Sequence, residues 1–389
     1  MGRAKEALMQ QQEQGFSFVP HKYVCGEHID DYAIKDHVNT NGSSGNCDYC
    51  DSSEKKNVIL LKDYIAFIND GLRAFFTEPV NEMAFDSSEG GYYGAKTWDT
   101  IDLFELLDIN IEGKKLFDEF FCKPKWENNW CEIDPYHIAR EKELKYLWDK
   151  FCEHVKHNIR YSFFKSDHYK LSDNDTMESI LNTICSVVDD FKCIKIFEEG
   201  QEVFRGRQHN SSVKVKELKD ISSPPVKYAT SANRMSPAGI SMFYGAGDEK
   251  TVESETVNSL SKDNFLTIGK LISKKKFNVI DFANLPTTPS IFDKKRRKDR
   301  YKMLFLNSFI KDLSKEIIRD EKVHIEYVPT QIITEYFRFV FPQIYKNEIK
   351  GLLYKSSKNK DGICCVLFFD NKECEEYFLL DSKNKKQLY

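Results

Sequence analysis

The sequence has no apolar run long enough to cross a membrane. Its longest uninterrupted run covers residues 363–369, whereas a membrane helix needs about 20 apolar residues. Residues 1–15 are polar and rich in glutamine, so we do not expect them to form a signal peptide. Internal repeats and low-complexity tracts are also missing from the sequence. We therefore expect a cytoplasmic protein without a membrane partner.

The sequence also lacks an excess of positive charge. It has 57 Lys and Arg residues against 61 Asp and Glu residues, a formal charge of −4, and so no global basic field for wrapping nucleic acid. Residues 274–276 and 294–300 form short basic runs, but such runs are usually solvated loops. A nucleic-acid partner is therefore not expected.

A disulfide framework is not expected either. The 11 cysteines are an odd number, and cytosolic thiols normally stay reduced. The chain does contain ample material for a core, because 41% of its residues are hydrophobic and 13% are aromatic. This composition excludes an intrinsically disordered chain. Its 389 residues predict two or three domains at ~150 residues each.

Hydrophobic periodicity predicts an α+β chain whose first half is mainly helical. Helical spacing of apolar residues covers 60–76 and 138–163, and Asp175 with Glu178 fits a capping box before another helix. Further helices are predicted at 301–318 and after Pro329. Short strands are predicted at 202–205, 239–244, 324–327 and 363–369.

Changes in composition predict the domain boundaries. Residues 21–55 contain few large aliphatic side chains and therefore need an additional stabilising link, such as a bound metal ion. The polar stretch before Thr176 is typical of a linker. We therefore expect an N-terminal arm at 1–20, a metal-stapled knuckle at 21–55, a helical domain at 56–165, a linker at 166–175 and a mixed α/β domain at 176–389.

Three cysteines and a histidine have the spacing of a zinc site. Cys25-x2-His28 is followed, after residues 29–46, by Cys47-x2-Cys50. Two pairs of this kind present four ligands to one tetrahedral ion, which makes the predicted site closed and structural. His21 and His37 lie close enough in the chain to replace His28 as the fourth ligand.

The second half of the chain contains an ordered set of polar motifs. Taken alone, each motif has a simpler explanation, and Glu255 in particular fits a solvated helix face because surface carboxylates are abundant. The set comprises Phe204-Arg205-Gly206-Arg207, Asn233-Arg234-Met235-Ser236-Pro237-Ala238-Gly239-Ile240, Tyr244, Thr251-x3-Glu255, Pro329-Thr330-Gln331 and Gly351-Leu352-Leu353-Tyr354-Lys355-Ser356.

In order and spacing this set resembles the RES family, whose members have an ADP-ribosyltransferase-like fold and act as bacterial NAD-degrading toxins. Upstream, the Cys/His knuckle, the turn Ser88-Glu89-Gly90-Gly91 and Asp134-Pro135-Tyr136 resemble the N-terminal domain of the HEPN/RES class that is fused to some RES proteins. Together, the resemblances cover most of the chain. They imply a structural zinc ion and NAD+ as the substrate.

The resemblance also implies roles for particular residues. Glu255 would stabilise an oxocarbenium-like ribose, and Arg205 and Arg234 would bind the pyrophosphate, with Arg207 as the alternate to Arg205. Tyr244 would stack on a ring of NAD+. Ser356, or Ser357 if the register slips by one, would hydrogen-bond the substrate or orient the nucleophile. The predicted catalytic residues are thus Glu255, Arg205 and Ser356.

We therefore expect an NAD+ phosphorylase or NAD+ glycohydrolase that acts as a toxin or antiviral effector. Since uncontrolled NAD+ loss would kill the cell, we expect restraint by an antitoxin-like partner or by the chain's own N-terminal domain; a homo-oligomer is left open. One alternative is an ADP-ribosyltransferase that modifies a protein or nucleic acid. The other is a zinc- and RNA-binding module without catalysis.

Overall fold

The computed structural model describes residues 15–16, 19–88, 90–122, 129–137, 139–165, 171–172, 175–211, 215–259, 261–315 and 323–388. They divide into two compact units, Met1–Arg140 with Thr288–Met303, and Glu141–Thr287 with Leu304–Tyr389. The predicted α+β class is confirmed. Most of the predicted N-terminal arm (1–20) and of the predicted linker (166–175), and Glu89 in the predicted turn, lie outside the described residues.

Helices occur in both halves of the chain. The first half contains α1 Tyr32–Asn41, α2 Leu61–Leu72, α3 Pro79–Glu82, α4 Thr100–Leu106, α5 Lys114–Phe117, α6 Arg140–His157 and α7 Met177–Asp190. The second half contains α8 Leu218–Ile221, α9 Glu249–Thr256, α10 Arg300–Ser314, α11 Val323–Glu326, α12 Val328–Glu335, α13 Phe341–Tyr345 and α14 Asn371–Tyr377.

The strands of the first unit are short. They are β1 Tyr23–Cys25, β2 Ser43–Gly45, β3 Lys56–Leu60, β4 Phe76–Thr77, β5 Ala84–Asp86, β6 Gly91–Tyr93 and β7 Cys131–Glu132. Strands of the second unit are β8 Ile194–Phe197, β9 Glu202–His209, β10 Phe243–Ala246, β11 Phe265–Ser273, β12 Phe277–Asp281, β13 Gly351–Lys355, β14 Ile363–Leu367 and β15 Phe378–Gln387.

The first unit packs α2 against a small sheet with strand order β1-β3-β2. Apolar residues of α2 recur at helical spacing, and Tyr64, Ile65, Ile68 and Leu72 are all fully buried. The Asp31 side chain caps α1 by accepting hydrogen bonds from the two backbone amides that follow its first helical residue. Cys25, the first cysteine of the Cys/His knuckle, is the last residue of strand β1 in this sheet.

A segment from the second half of the chain completes this core. Ile291 and Phe292, in Thr288–Met303, are buried in the same apolar cluster as the side chains of α2. Gly71 of α2 leaves the space for Phe292, because a Cβ at Gly71 would lie 2.2 Å from the Phe292 ring. The Tyr32 hydroxyl donates a hydrogen bond to Asp293 at 2.8 Å. The first unit is therefore not contiguous in sequence.

Within the described residues, the second unit is built on an eight-stranded sheet of order β15-β11-β9-β10-β14-β13-β12-β8. Its pairings are antiparallel except β12 with β13. Strand β9 pairs with β11 from Glu202 to His209, but with β10 at a single position, Ala246 opposite Phe204. Beyond that position β9 and β10 separate.

Several element predictions need correction. The predicted strand at 324–327 is wrong, because residues Val323–Glu326 form helix α11 immediately before α12; a short stretch of alternation cannot distinguish the two structures. The strand predicted at 239–244 begins at Phe243 instead. Helix α7 has its capping box at Thr176 and Ser179 and not at Asp175 and Glu178.

The compact units also divide the chain differently from the sequence. The predicted linker lies at 166–175, whereas the chain passes from the first compact unit to the second at 140/141, and the segment Thr288–Met303 belongs to the first unit. Composition could not reveal this assignment, since it depends on where Phe292 packs. The predicted domain bounds remain a prediction.

Among the helices that the structure describes, none combines the length and the apolar character needed to span a bilayer.

The position of Phe292 generates a stability prediction. We expect Phe292→Ala to lower the free energy of unfolding by about 3–5 kcal/mol, because it opens a cavity in the first unit's core. Phe85→Ala is the control, since Phe85 is 64% exposed in the same unit and should change stability by no more than ~0.5 kcal/mol. Urea unfolding followed by circular dichroism measures both; equal midpoints for the two variants would contradict the packing.

Candidate functional site

A cavity of about 690 Å³ lies where β9 and β10 separate. Its size is within the range of small-molecule sites. The wall includes Arg205 and Gly206 from β9, Tyr244 and Gly245 from β10, and Glu255 from α9. The divergence of two neighbouring strands therefore creates the space, and the predicted motifs surround it.

Arg205 enters the cavity wall from β9. Its Nε donates to the carbonyl oxygens of Ile221 at 2.7 Å and Ser222 at 3.2 Å, and its Nη1 donates to the carbonyl of Tyr244. Burial lowers the pKa of Arg205, but a guanidinium stays charged in proteins. A guanidinium has five N–H groups, and three of those of Arg205 have no hydrogen-bond partner among the described residues.

Arg234 reaches the same cavity from the Asn233–Ile240 turn. Its Nη1 donates to the Leu313 carbonyl at 2.9 Å, and its guanidinium carbon lies 5.9 Å from the centre of the Tyr327 ring. The turn is anchored by α12: the Thr330 hydroxyl donates to the Arg234 carbonyl, and Gln331 Nε2 donates to the Asn233 carbonyl at 2.8 Å. The Pro329-Thr330-Gln331 motif thus positions Arg234.

Glu255 lies on α9, which packs closely on β9. A Cβ at Gly206 would lie 2.6 Å from both Val252 and Thr256, so the glycine permits this close approach. Among the described residues that line the cavity, Glu255 is the only carboxylate, whereas Arg205, Arg234, Lys355 and Lys358 are cationic. The Ser356 hydroxyl donates a hydrogen bond to Glu255 Oε1 at 2.5 Å.

Tyr244 also lines the cavity, but its hydroxyl already has a partner. The hydroxyl lies 2.9 Å from Ser236 Oγ, which links β10 to the Asn233–Ile240 turn. Burial raises the pKa of Tyr244 to about 12, so the phenol remains neutral at physiological pH. The residue can therefore offer a ring face to a ligand without adding charge.

Two predicted residues are not part of the cavity wall. Arg207 is exposed, and its Nη1 donates to the Asp220 carbonyl at 2.5 Å. Ser356 is 9% exposed and contacts Glu255, whereas its neighbour Ser357 lines the cavity. The structure therefore brings together Arg205, Arg234, Tyr244 and Glu255, places Ser356 behind Glu255, and leaves Arg207 outside.

Sequence reasoning missed several lining residues, namely Tyr228, Tyr327, Tyr354, Lys355 and Lys358. Tyr354 and Lys355 lie inside the Gly351–Ser356 motif, so the sequence already indicated that they are close to the site. Tyr228 and Tyr327 lie outside every motif and come from distant parts of the chain. Their rings add aromatic surface to the cavity wall, on which a planar ligand can stack.

The four residues predicted as metal ligands form a cluster in the structure. One ligand atom from each of Cys25, His28, Cys47 and Cys50 lies within 4.8 Å of the others. Cys25 Sγ lies 3.6 Å from Cys50 Sγ, and His28 Nε2 lies 3.3 Å from Cys47 Sγ. Tetrahedral zinc with Zn–S bonds of about 2.3 Å requires edges of about this length. The four residues could therefore hold a zinc ion.

The surroundings of the cluster support ligand binding. His28 Nδ1 lies 3.1 Å from the Glu112 carbonyl oxygen, an arrangement that orients the ring with Nε2 towards the cysteines. The pKa of the Cys47 thiol is lowered because Cys25 donates a hydrogen bond to it. Neither alternative ligand belongs to the cluster: His21 is exposed, and His37 stacks on Phe67 at 3.8 Å.

Two family models match the chain. The HEPN/RES N-terminal domain 1 matches residues 40–169, and the RES domain matches residues 214–378. The chain is a RES-domain protein with a HEPN/RES N-terminal domain. The RES match includes Arg234, Tyr244, Glu255 and Ser356 but begins after Arg205. It supports an NAD-related function of the toxin or effector kind, and an enzyme that acts on NAD+.

No curated protein and no solved structure is significantly similar to the chain.

The cluster geometry predicts the metal content of the RES-domain protein. We expect about one metal ion per chain as purified, and Cys47→Ser should abolish it because a closed tetrahedral site needs all four ligands. Cys152→Ser is the control, since Cys152 lies outside the cluster. Mass spectrometry of metal content tests both variants; a Cys47→Ser protein that retains its metal would rule out this ligand set.

Proposed function

We propose that the RES-domain protein degrades NAD+ by cleaving the nicotinamide–ribose bond. The observation that carries this proposal is that, among the described residues, Glu255 is the one carboxylate in a cavity whose other charged lining residues are cations. NAD+ has the complementary pattern, with a negatively charged pyrophosphate and a positively charged nicotinamide ring next to the ribose. The charges of the cavity wall therefore complement the charges of NAD+.

The chemistry of the bond fits a single carboxylate. When the C1′–N bond breaks, its electron pair goes to the nicotinamide nitrogen, and the leaving group departs neutral. No general acid is then needed, in contrast to the two carboxylates of ordinary glycosidases. The ribose develops positive charge, and an oriented carboxylate such as Glu255 stabilises it. An oxygen of water or phosphate forms the new bond to C1′ and releases its proton to solvent.

Binding of the rest of NAD+ falls to the other wall residues. Arg205 and Arg234 keep unused N–H groups beside the cavity, and planar guanidinium forks bind phosphate oxygens bidentately. The rings of Tyr244, Tyr228 and Tyr327 offer stacking surfaces for adenine or nicotinamide. These contacts would hold the dinucleotide beside Glu255.

We propose that the cluster of Cys25, His28, Cys47 and Cys50 holds a structural zinc ion. The donor set of thiolates and one imidazole suits zinc, and four protein ligands leave no open position for a substrate. The metal would stabilise a segment that has few apolar side chains of its own.

We also propose a biological role as a toxin or antiviral effector. Depletion of NAD+ would harm the cell that makes the enzyme, so its activity would need restraint. An antitoxin-like partner or the HEPN/RES N-terminal domain would supply that restraint. The support for this role is the RES-domain match.

The products of NAD+ cleavage test the reaction. Purified protein is incubated with NAD+ with and without inorganic phosphate, and the products are separated by mass. ADP-ribose-1-phosphate identifies a phosphorylase, and ADP-ribose identifies a glycohydrolase. ADP-ribose attached to a macromolecule identifies a transferase and contradicts degradation as the main activity. Intact NAD+ in all conditions would reject the proposal.

Glu255→Gln tests the carboxylate. We expect NAD+ turnover to fall at least about 100-fold, because the amide keeps the shape but loses the charge that stabilises the ribose. Glu253→Gln is the matched control: Glu253 lies on the same helix, pairs with Lys386 and is not a lining residue. Initial rates of nicotinamide release compare the two, and equal loss in both would contradict a special role for Glu255.

Arg234→Lys tests recognition of the pyrophosphate. We expect KM for NAD+ to rise at least about tenfold, since a charged hydrogen bond is worth about 1.5–3 kcal/mol and lysine lacks the planar fork. Arg207→Lys is the control, because Arg207 points its Nη1 at the Asp220 carbonyl outside the cavity wall. Steady-state kinetics on both variants tests this; an effect at Arg207 as large as that at Arg234 would contradict the proposed role of Arg234.

A further inference from the structure

The loop from Ser356 to Gly362 is fixed to the first turn of α9. Asn359 Nδ2 donates to Thr251 Oγ1 at 2.7 Å, and Thr251 Oγ1 in turn donates to Asp248 Oδ2 at 2.6 Å. Thr251 is fully buried. Gly362 packs so closely that a Cβ would lie 2.3 Å from Thr251 Oγ1. The loop and the helix therefore form one packed unit.

The hydrogen bonds of Ser356 have one consistent arrangement. A hydroxyl has one proton to donate and two lone pairs to accept with. The Ser356 oxygen accepts from the backbone amides of Lys358 at 3.1 Å and Asn359 at 3.0 Å. Its proton is therefore left for Glu255 Oε1, at 2.5 Å. In this arrangement the proton and both acceptor sites of Ser356 are used within the protein.

In this arrangement the two carboxylate oxygens of Glu255 have different surroundings. Oε1 accepts from Ser356 and lies 3.9 Å from Cys364 Sγ. Oε2 has no hydrogen-bond partner among the described residues, so it is the oxygen available to a ligand. Holding one oxygen fixes the rotation of the carboxylate and hence the direction of the other.

We propose that Asn359 and Thr251 are positioning residues for the NAD+-cleaving reaction, acting through Ser356 to orient Glu255 Oε2 towards the ribose. This inference rests on the proposed function. Asn359 orders the loop whose amides fill the acceptor sites of Ser356, and Thr251 fixes Asn359 to the helix that carries Glu255. The contacts are within the same compact unit.

Steady-state kinetics on the full-length chain tests this role. We expect Thr251→Val and Asn359→Ala each to lower kcat between about 10-fold and 100-fold, since small misplacement of a catalytic group has effects of this size. KM for NAD+ should stay within about twofold, because neither residue lines the cavity. Thr251→Ser keeps the hydroxyl and should restore most of kcat. Lys360→Ala, an exposed change in the same loop, should behave as wild type.

The outcomes separate this inference from the proposed function. If the wild-type chain leaves NAD+ intact, the proposed function and this inference both fail. If the wild type is active and Asn359→Ala keeps its kcat, or if Thr251→Ser is as impaired as Thr251→Val, the positioning role alone is overturned. A rise in KM in proportion to the loss of kcat would also overturn it. Should Thr251→Val fail to fold, Asn359→Ala still decides, since it alters a loop side chain.

Discussion

The hydrogen bond from Ser356 to Glu255 is the contact on which the orientation of the cavity's carboxylate depends. Among the described residues, Glu255 shares the cavity wall with four cationic side chains, and opposite charges attract each other. Yet none of the ion pairs between described residues includes Glu255. A neutral hydroxyl, itself held by backbone amides, anchors the carboxylate, so its negative charge is not cancelled before a ligand arrives.

The arginines are held by the same physical means. Arg205 donates to three backbone carbonyl oxygens and Arg234 to one, so neutral acceptors orient both guanidiniums and leave their positive charge uncompensated. An orienting carboxylate would have weakened each arginine as an anion site. Fixed charges that need no rearrangement when the ligand binds are the usual source of electrostatic stabilisation in enzymes. The wall is thus prepared for a ligand with charges of both signs.

The sequence predicts features that depend on residues close together in the chain better than features that depend on contacts between remote residues. The spacing within the Cys25/His28 and Cys47/Cys50 pairs is local, and in the structure the four side chains form one cluster. Strand alternation places Arg205 and Arg207 on one face of β9, so the sequence could not choose between them. That choice depends on where β10 leaves β9, which is a matter of sheet register. Asn359 was missed because its partner, Thr251, is remote in the chain.

The packing of Phe292 shows the same limit at the level of domains. A family model describes a contiguous stretch, and residues 288–303 fall inside the RES match at 214–378. The compact unit to which they belong is nevertheless the first one, where Phe292 is 2% exposed beside Gly71. Cutting the chain between the two family matches would therefore remove an apolar side chain from the N-terminal core, and the exposed core would destabilise that fragment. The HEPN/RES family model covers one continuous segment, whereas two separate segments of the chain form the first compact unit.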